Sequence, residues 1–335
     1  MPHWTAADLP PMTGRTVVIT GAGTGIGLIS ARELARAGAR VVVAVRNEAK
    51  ARDAIRGMPG LIEVRRLDVS DLSSVRAFAD DWDGPLDVLV NNAGVMDIPA
   101  QRTADGFDLQ TATNYLGPFA LSNLLLKHVT GRVVSVTSQL HRRARLDLAD
   151  LDWRSRPYRP MRAYGESKLE VVLFSLELQR RLDAAGSPVR SVLAHPGIAT
   201  TALAAHSPSG RVNSLYPVIR KPGRAGLDAD AARRLWDATA RLTGAGAWLS
   251  LAGGRCSTRS TGSPGGAGRG QYAASRARSS AVNAAGLRAA ASQSTVTTLA
   301  SAAVTPAGTR TVSRVVRLVV PTFSTSIRTR SRRSS

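Results

Sequence analysis

Cysteine is almost absent from the 335 residues. Cys256 stands alone, which excludes an intramolecular disulfide framework and a cysteine-rich zinc site and points to a reducing, intracellular setting. Lysine is scarce as well, 4 against 41 arginines, and acidic residues stop at Asp237. At the acidic density of the first 237 residues, 98 further positions without an acid have a chance on the order of 10⁻⁵, so composition changes near residue 250. Long apolar runs are missing: none approaches the ~20 residues of a spanning helix, and the opening MPHWTAADLPPMTGR lacks a leader-like apolar stretch. These absences lead to the expectation of a soluble, cytoplasmic protein without a metal cluster or a transmembrane segment.

What is present is enough apolar material, 43% of residues, for a sizeable core, and a formal charge of +21. Such a charge ordinarily suggests nucleic acid or an anionic membrane as partner. It is unevenly placed: residues 1–250 carry 32 basic against 24 acidic side chains, whereas residues 251–335 carry 13 arginines and no acid. The chain therefore divides into a body, 1–250, and an Arg/Ser/Ala-rich tail, 251–335. Apart from Val312–Phe323 the tail has little apolar periodicity to offset its ordering entropy, and a disordered tail is expected. It also lacks lysine clusters and interleaved aromatics, which argues against nucleic acid.

Within the body, short β-branched runs alternate with helical spacing. Strands are expected at Thr16–Thr20, Arg40–Val45, Leu61–Leu67, Asp87–Asn91, Arg132–Thr137 and Val189–Ala194; helices at Ile26–Ala37, Ser73–Asp80, Gly106–His128, Met161–Leu182 and Asp228–Leu242. This alternation predicts a single α/β domain, a Rossmann-type doubly wound parallel sheet with helices on both faces. The first strand runs into Gly21-Ala22-Gly23-Thr24-Gly25-Ile26-Gly27 and then a helix. Glycines there let backbone approach a pyrophosphate held on the helix N-terminus, although a tight turn alone also accounts for a Gly-rich stretch. The second strand ends at Arg46-Asn47 with no acid to hold a ribose 2′-hydroxyl. Arg46 can pair with a 2′-phosphate, favouring NADP(H) over NAD, or can be a solvated surface arginine.

Tyr164 and Lys168, four apart in Tyr-Gly-Glu-Ser-Lys, fall on one helix face. A unit charge ~5 Å away at an effective dielectric of ~20 is worth about 3 kcal/mol, enough to bring a tyrosinate within reach near neutrality. With the Gly-rich turn, the chain resembles the short-chain dehydrogenase/reductase family. Further motifs carry the resemblance: Asn91-Asn92-Ala93-Gly94 after the fourth strand, Asn114, Ser138 closing the fifth strand, His195-Pro196-Gly197, and Asp68-Val69. The long interval from Ser138 to Tyr164 and the helix SKLEVVLFSLELQRRL are similar to the retinol-dehydrogenase-like branch. The resemblance implies that Tyr164 is the general acid/base, that Lys168 holds the nicotinamide ribose and lowers the tyrosine pKa, that Ser138 bonds the substrate oxygen and that Asn114 positions a water. It further implies that Gly21, Gly23, Thr24, Gly25, Ile26, Gly27, Arg46, Asn47, Asp68, Val69, Asn91, Ala93, Gly94, Tyr164, Lys168, Pro196 and Gly197 line the cofactor.

Two readings of function follow. One is hydride transfer between NADP(H) and a small or medium apolar carbonyl or alcohol. The other is a catalytically weak NADP-binding protein, because Asn213–Leu227 is too short for the helix and strand that the family resemblance places between a substrate segment, Ala199–Val212, and the last helix. Either leaves a homo-oligomer open. The tail is either a genuine extension or a product of off-frame translation, a hypothesis prompted by its Arg-rich, acid-free composition and tested by translating the other frames. His141 is expected to be a polar loop residue or a pocket-lining one. Asp147, Asp150 and Asp152 with Arg142, Arg143 and Arg145 are expected to form a solvated charged loop, and Cys256 has no catalytic company.

Overall fold

The computed structural model describes residues 5–197 and 222–246 together with two strands of the tail, Thr298–Ala302 and Ser313–Val319. The expected substrate segment 199–212, Cys256 and most of the tail lie outside these residues, and so does most of the expectation that the tail is without order. The six β-branched runs form β1 (Thr16–Thr20), β2 (Arg40–Val45), β3 (Leu61–Arg66), β4 (Leu86–Asn91), β5 (Val129–Val136) and β6 (Arg190–Ala194). They lie in the order β3-β2-β1-β4-β5-β6, all parallel. The order reverses between β1 and β4, and ligands in such sheets bind outside the carboxyl ends of the strands at that reversal.

Strand pleating divides the core. Val17 and Ile19 of β1, with Val41 and Val43 of β2, pack under α1 (Gly25–Arg36) and α2 (Glu48–Ile55), while Val18, Val42 and Leu89 face α3 (Leu72–Asp80) and the helices that follow. α2 was not among the expected helices. Its low hydrophobicity hides it, but Asn47 caps it by accepting from the Lys50 amide at 2.9 Å. β5 starts at Val129, three residues before the sequence suggests, because pairing of Leu86 with Val129 sets its start rather than apolar content. The single helix expected over 106–128 is three pieces: α4 (Leu109–Thr111), capped by Asp108; a π-helical turn, Ala112–Leu116; and α5 (Gly117–Leu125).

Next come α6 (Pro160–Ala184) and α7 (Ala229–Thr243). α7 lays its apolar face on α5 and α6: Trp236, 2% exposed, stacks on Phe174 at 5.8 Å and meets Phe119 edge-on at 4.9 Å. Beyond β6 the sheet is extended by Ser313–Val319, antiparallel and in register at Leu193↔Val319 and Ala194↔Leu318, and then by Thr298–Ala302. The first of these falls inside the one apolar stretch of the tail. Among the described residues no helix is long and apolar enough to cross a membrane.

The loop between β5 and α6 corrects one expectation. Asp150 and Asp152 are not a solvated surface; they are 7% and 8% exposed. Asp150 accepts from the backbone amides of Arg154 (2.6 Å) and Ser155 (3.2 Å), which holds its carboxyl below the usual range despite partial burial. Asp152 takes Arg154 Nε at 2.8 Å and Arg102 Nη1 at 3.3 Å. The arginines paired with these two carboxylates are 102, 154 and 156, because the loop folds back against residues 101–110. Nearest neighbours in sequence could not reveal that.

Candidate active site

Close approach to the loop after β4 requires glycine at Gly21 and Gly27 in the turn after β1. Gly21 has φ +65°, and a Cβ there would sit 2.8 Å from Ala93 Cα; at Gly27 a Cβ would meet Asn92 Nδ2 at 2.5 Å and Ala22 Cα at 2.9 Å. Thr20 ties this turn to the loop after β4: its hydroxyl accepts from the amides of Asn92 and Ala93, each at 3.0 Å, and Asn92 Nδ2 donates back to Thr20 O at 2.8 Å. Thr20 and Asn92 carry this junction although the sequence motifs drew attention to their neighbours.

Helix α1 starts at Thr24, whose side chain makes no capping bond, whereas α2, α3 and α7 are capped by Asn47, Asp71 and Asp228. The amides of Gly25, Ile26 and Gly27 thus stand at a helix N-terminus without a side-chain acceptor from the capping residue, at the sheet's reversal point and beside Gly23. That is the donor set an anionic pyrophosphate needs. At the end of β2, Arg46 is 74% exposed in its side chain and only 3.9 Å, at its nearest, from Asp68 Oδ2. Asp68 is otherwise engaged with Ser70, while the adjacent Val69 is buried. Asn47 spends its side-chain oxygen on the α2 cap. Asn91 points its amide at Ser122 (2.8 Å) and Ser135 (3.5 Å), so its side chain braces the sheet.

Four residues from distant parts of the chain converge beyond β4 and β5. Ser138 follows β5, its Oγ accepting from Leu140 N at 3.4 Å, and stands close enough to the Tyr164 hydroxyl to oppose the rise in its pKa. Tyr164 and Lys168, both 5% exposed, lie one turn apart on α6, with Nζ 5.6 Å from the phenol centroid and donating to Val136 O at 3.1 Å. Asn114 donates to Ser167 Oγ and Val95 O, each at 2.9 Å, and accepts from Val95 N at 2.8 Å. A Cβ on Gly94 would meet Asn114 Oδ1 at 3.0 Å and Lys168 Nζ at 3.5 Å, so Gly94 keeps open the approach to both.

One electrostatic expectation is corrected. Burial pushes Tyr164 up to about 12, opposed by the Ser138 side chain, and pushes Lys168 down to about 8. Lysine does not bring the phenol toward neutrality in this arrangement, because desolvation of both groups outweighs their interaction and the ammonium is turned to a backbone carbonyl. At neutral pH the Tyr164 phenol keeps its proton.

His141 is buried rather than looped into solvent. Its Nδ1 bonds Ser138 O at 2.5 Å and its Nε2 accepts from Gly223 N at 3.3 Å, linking the residue after β5 to the segment leading into α7. His195 accepts from Gly197 N at Nδ1 (2.8 Å), next to Pro196 where the described stretch ends. Gln110, which the sequence reading passed over, is fully buried and joins three segments. Its one signal was a polar side chain four residues before Asn114, at helical spacing from it. Among the described residues no group of three or more His, Cys, Asp or Glu could hold a metal ion.

A family model described as short chain dehydrogenase matches residues 15–211. The chain is 42% identical over 207 residues to retinol dehydrogenase 13 of Homo sapiens, covering 58% of this chain and 62% of that protein. It is 43% identical over 215 residues to polyprenol dehydrogenase of Mus musculus, covering 59% and 64%. The chain thus spans less than two thirds of the length of these relatives. A crystal structure of an uncharacterized protein from Mycobacterium paratuberculosis matches with 48% identity and a TM-score of 0.65, over 72% of this chain and 98% of that one.

Proposed function

We propose, for a chain that belongs to the short-chain dehydrogenase family, that it transfers hydride between NADP(H) and a small or medium apolar carbonyl or alcohol in the cytoplasm. The observation that carries this reading is the convergence of Ser138, Tyr164 and Lys168 beside Gly94 and Asn114. The uncapped N-terminus of α1 fits a pyrophosphate, and Arg46, exposed and weakly paired, fits a 2′-phosphate. A bound nicotinamide would supply the hydride; the chain supplies position and proton transfer. Ser138 would orient a carbonyl oxygen, and Tyr164, protonated at neutral pH, would donate to that oxygen as it gains charge. Lys168, charged below about pH 8, would hold a ribose hydroxyl and place positive charge near the phenol. The same groups run the reverse reaction as pH rises and the phenol becomes a better base. Burial of Tyr164 and Lys168 keeps bulk water from competing for that proton.

The test is NADPH consumption against a panel of aldehydes and ketones. Tyr164→Phe is expected to lower kcat by ~10²-fold or more with NADPH binding retained. Arg46→Ala is expected to weaken NADPH binding by ~10-fold or more and leave NADH binding unchanged. Turnover that survives in Tyr164→Phe would overturn the mechanism. Tight NADPH binding without turnover on any carbonyl would favour the second reading, a cofactor-binding protein with an incomplete substrate pocket. The observation on that side is that only residues 198–228 separate Gly197 from α7, and that the place beside β6 is taken by an antiparallel strand of the tail.

A further inference from the structure

Two side chains four residues apart make the same pair of connections. Asn114 joins Val95, in the loop after β4, to Ser167 on α6. Gln110 joins Asp97, two residues further along that loop, to Pro160, two turns earlier on α6. The donors and acceptors leave no ambiguity in the orientation of the Gln110 amide. Asp97 N–H donates to Oε1 at 2.8 Å, and Nε2 donates to Pro160 O at 3.0 Å and to the Tyr158 hydroxyl at 2.8 Å. Asp97 has φ +55°, a conformation that a side-chain-bearing residue holds only when its surroundings enforce it.

The end of α6 that Gln110 grips is the one with least support of its own. Arg159 at the N-cap provides no side-chain bond, so the first turn depends on outside partners. In helix geometry the carbonyl of Pro160 is the acceptor for the amide of Tyr164. Gln110 therefore holds, through the other lone pair of that oxygen, the backbone group from which Tyr164 hangs. The two rungs bracket the tyrosine: Pro160 lies one turn before it and Ser167 three residues after.

We propose that Gln110 is a positioning residue for Tyr164, the outer of two rungs, with Asn114, that fix the first turns of α6 against the loop bearing Gly94. This rests on the acid/base reading of Tyr164 given above. The distance from Gln110 to the chemistry makes its effect indirect: without its bonds the first turn of α6 drifts and the phenol leaves its line with Ser138. Displacements near 1 Å at a reacting group lower rates by ~10²-fold.

The experiment uses the full-length chain, NADPH and the carbonyl substrate it turns over best. Gln110→Met keeps the volume and removes all three bonds; it is expected to lower kcat about 10- to 100-fold with KM for the carbonyl and Kd for NADPH within about threefold of wild type. In a Tyr164→Phe background the same change is expected to cause no further loss, since there is no phenol left to misplace. Gln110→Glu retains an acceptor for Asp97 N–H and regains a donor toward Pro160 only when protonated, so between pH 7 and 6, where wild-type kcat is level, its kcat should rise as pH falls. This profile carries the test if Gln110→Met does not fold. A kcat for Gln110→Met within twofold of wild type, an equal loss in the Tyr164→Phe background, or a Gln110→Glu profile parallel to wild type would each overturn the proposal. Undiminished turnover in Tyr164→Phe alone would remove the acid/base reading, and with it the role of Gln110.

Discussion

Lys168 is charged at neutral pH in a place that disfavours charge. Its pKa falls from 10.5 to about 8 through burial alone. Between pH 8 and 10.5 the unfolded chain therefore holds more protons than the folded one, and stability rises with pH across that window. Below pH 8 the folded protein carries the full penalty, about 3 kcal/mol. Tyr164 acts in the opposite sense: its pKa is raised to about 12, so its contribution is present below pH 10 and lost as pH climbs toward 12. Lys168→Met is thus expected to raise the denaturant midpoint at pH 7, by up to ~3 kcal/mol in stability, and to flatten the rise between pH 8 and 10 while abolishing turnover. Carbonyl reduction by wild type should be level from pH 6 to 7 and decline as pH passes about 8, because the ammonium is lost there while the phenol keeps its proton. A pH–rate profile without a break near 8 would show that the charge on Lys168 is not what the reaction uses. The residue types and the spacing of four were legible in the sequence. The direction of both shifts was not, since desolvation depends on what packs over the helix.

At the scale of elements, strands were easier to read than the joints between them. Continuous Val/Ile runs mark strands buried on both faces, and the bounds of β1 and β2 agree with expectation residue for residue. α2 was hidden by its polar composition, and the break of 109–125 into three pieces has no periodic signature, because a π-helical turn arises from packing at the site. α7 shows amphipathic spacing in sequence, but which surface it covers was decided by Phe119 and Phe174 on α5 and α6 and by Arg181, whose guanidinium lies 4.5 Å from the Trp236 ring. Trp236→Ala is expected to cost about 3–5 kcal/mol, read as a lower urea midpoint at unchanged slope. A change under 1 kcal/mol would mean that α7 adds little to the fold of the body.

For the whole molecule, the +21 charge separates from the chemistry. The body holds +8 of it, the excess that remains after acidic side chains offset basic ones in ion pairs such as Arg15–Asp87 and Arg156–Glu166, and the tail contributes the rest. Retention on DNA is therefore expected to be weak, independent of base sequence and steeply reduced by salt, while NADPH turnover persists at salt concentrations that release the DNA. Sequence-selective retention at physiological salt would contradict this. What the sequence by itself determined is the order of strands and helices, the Gly-rich turn and the identities of Ser138, Tyr164 and Lys168, because periodicity and short motifs are local properties of a chain. Only the tertiary structure decided that Asp150 and Asp152 are buried partners of Arg102, Arg154 and Arg156, that His141 bridges to Gly223, and that Gln110 reaches both Asp97 and Pro160. Those contacts join segments up to 82 residues apart, and their energies depend on burial and hydrogen-bond geometry that exist only once the sheet and helices have packed.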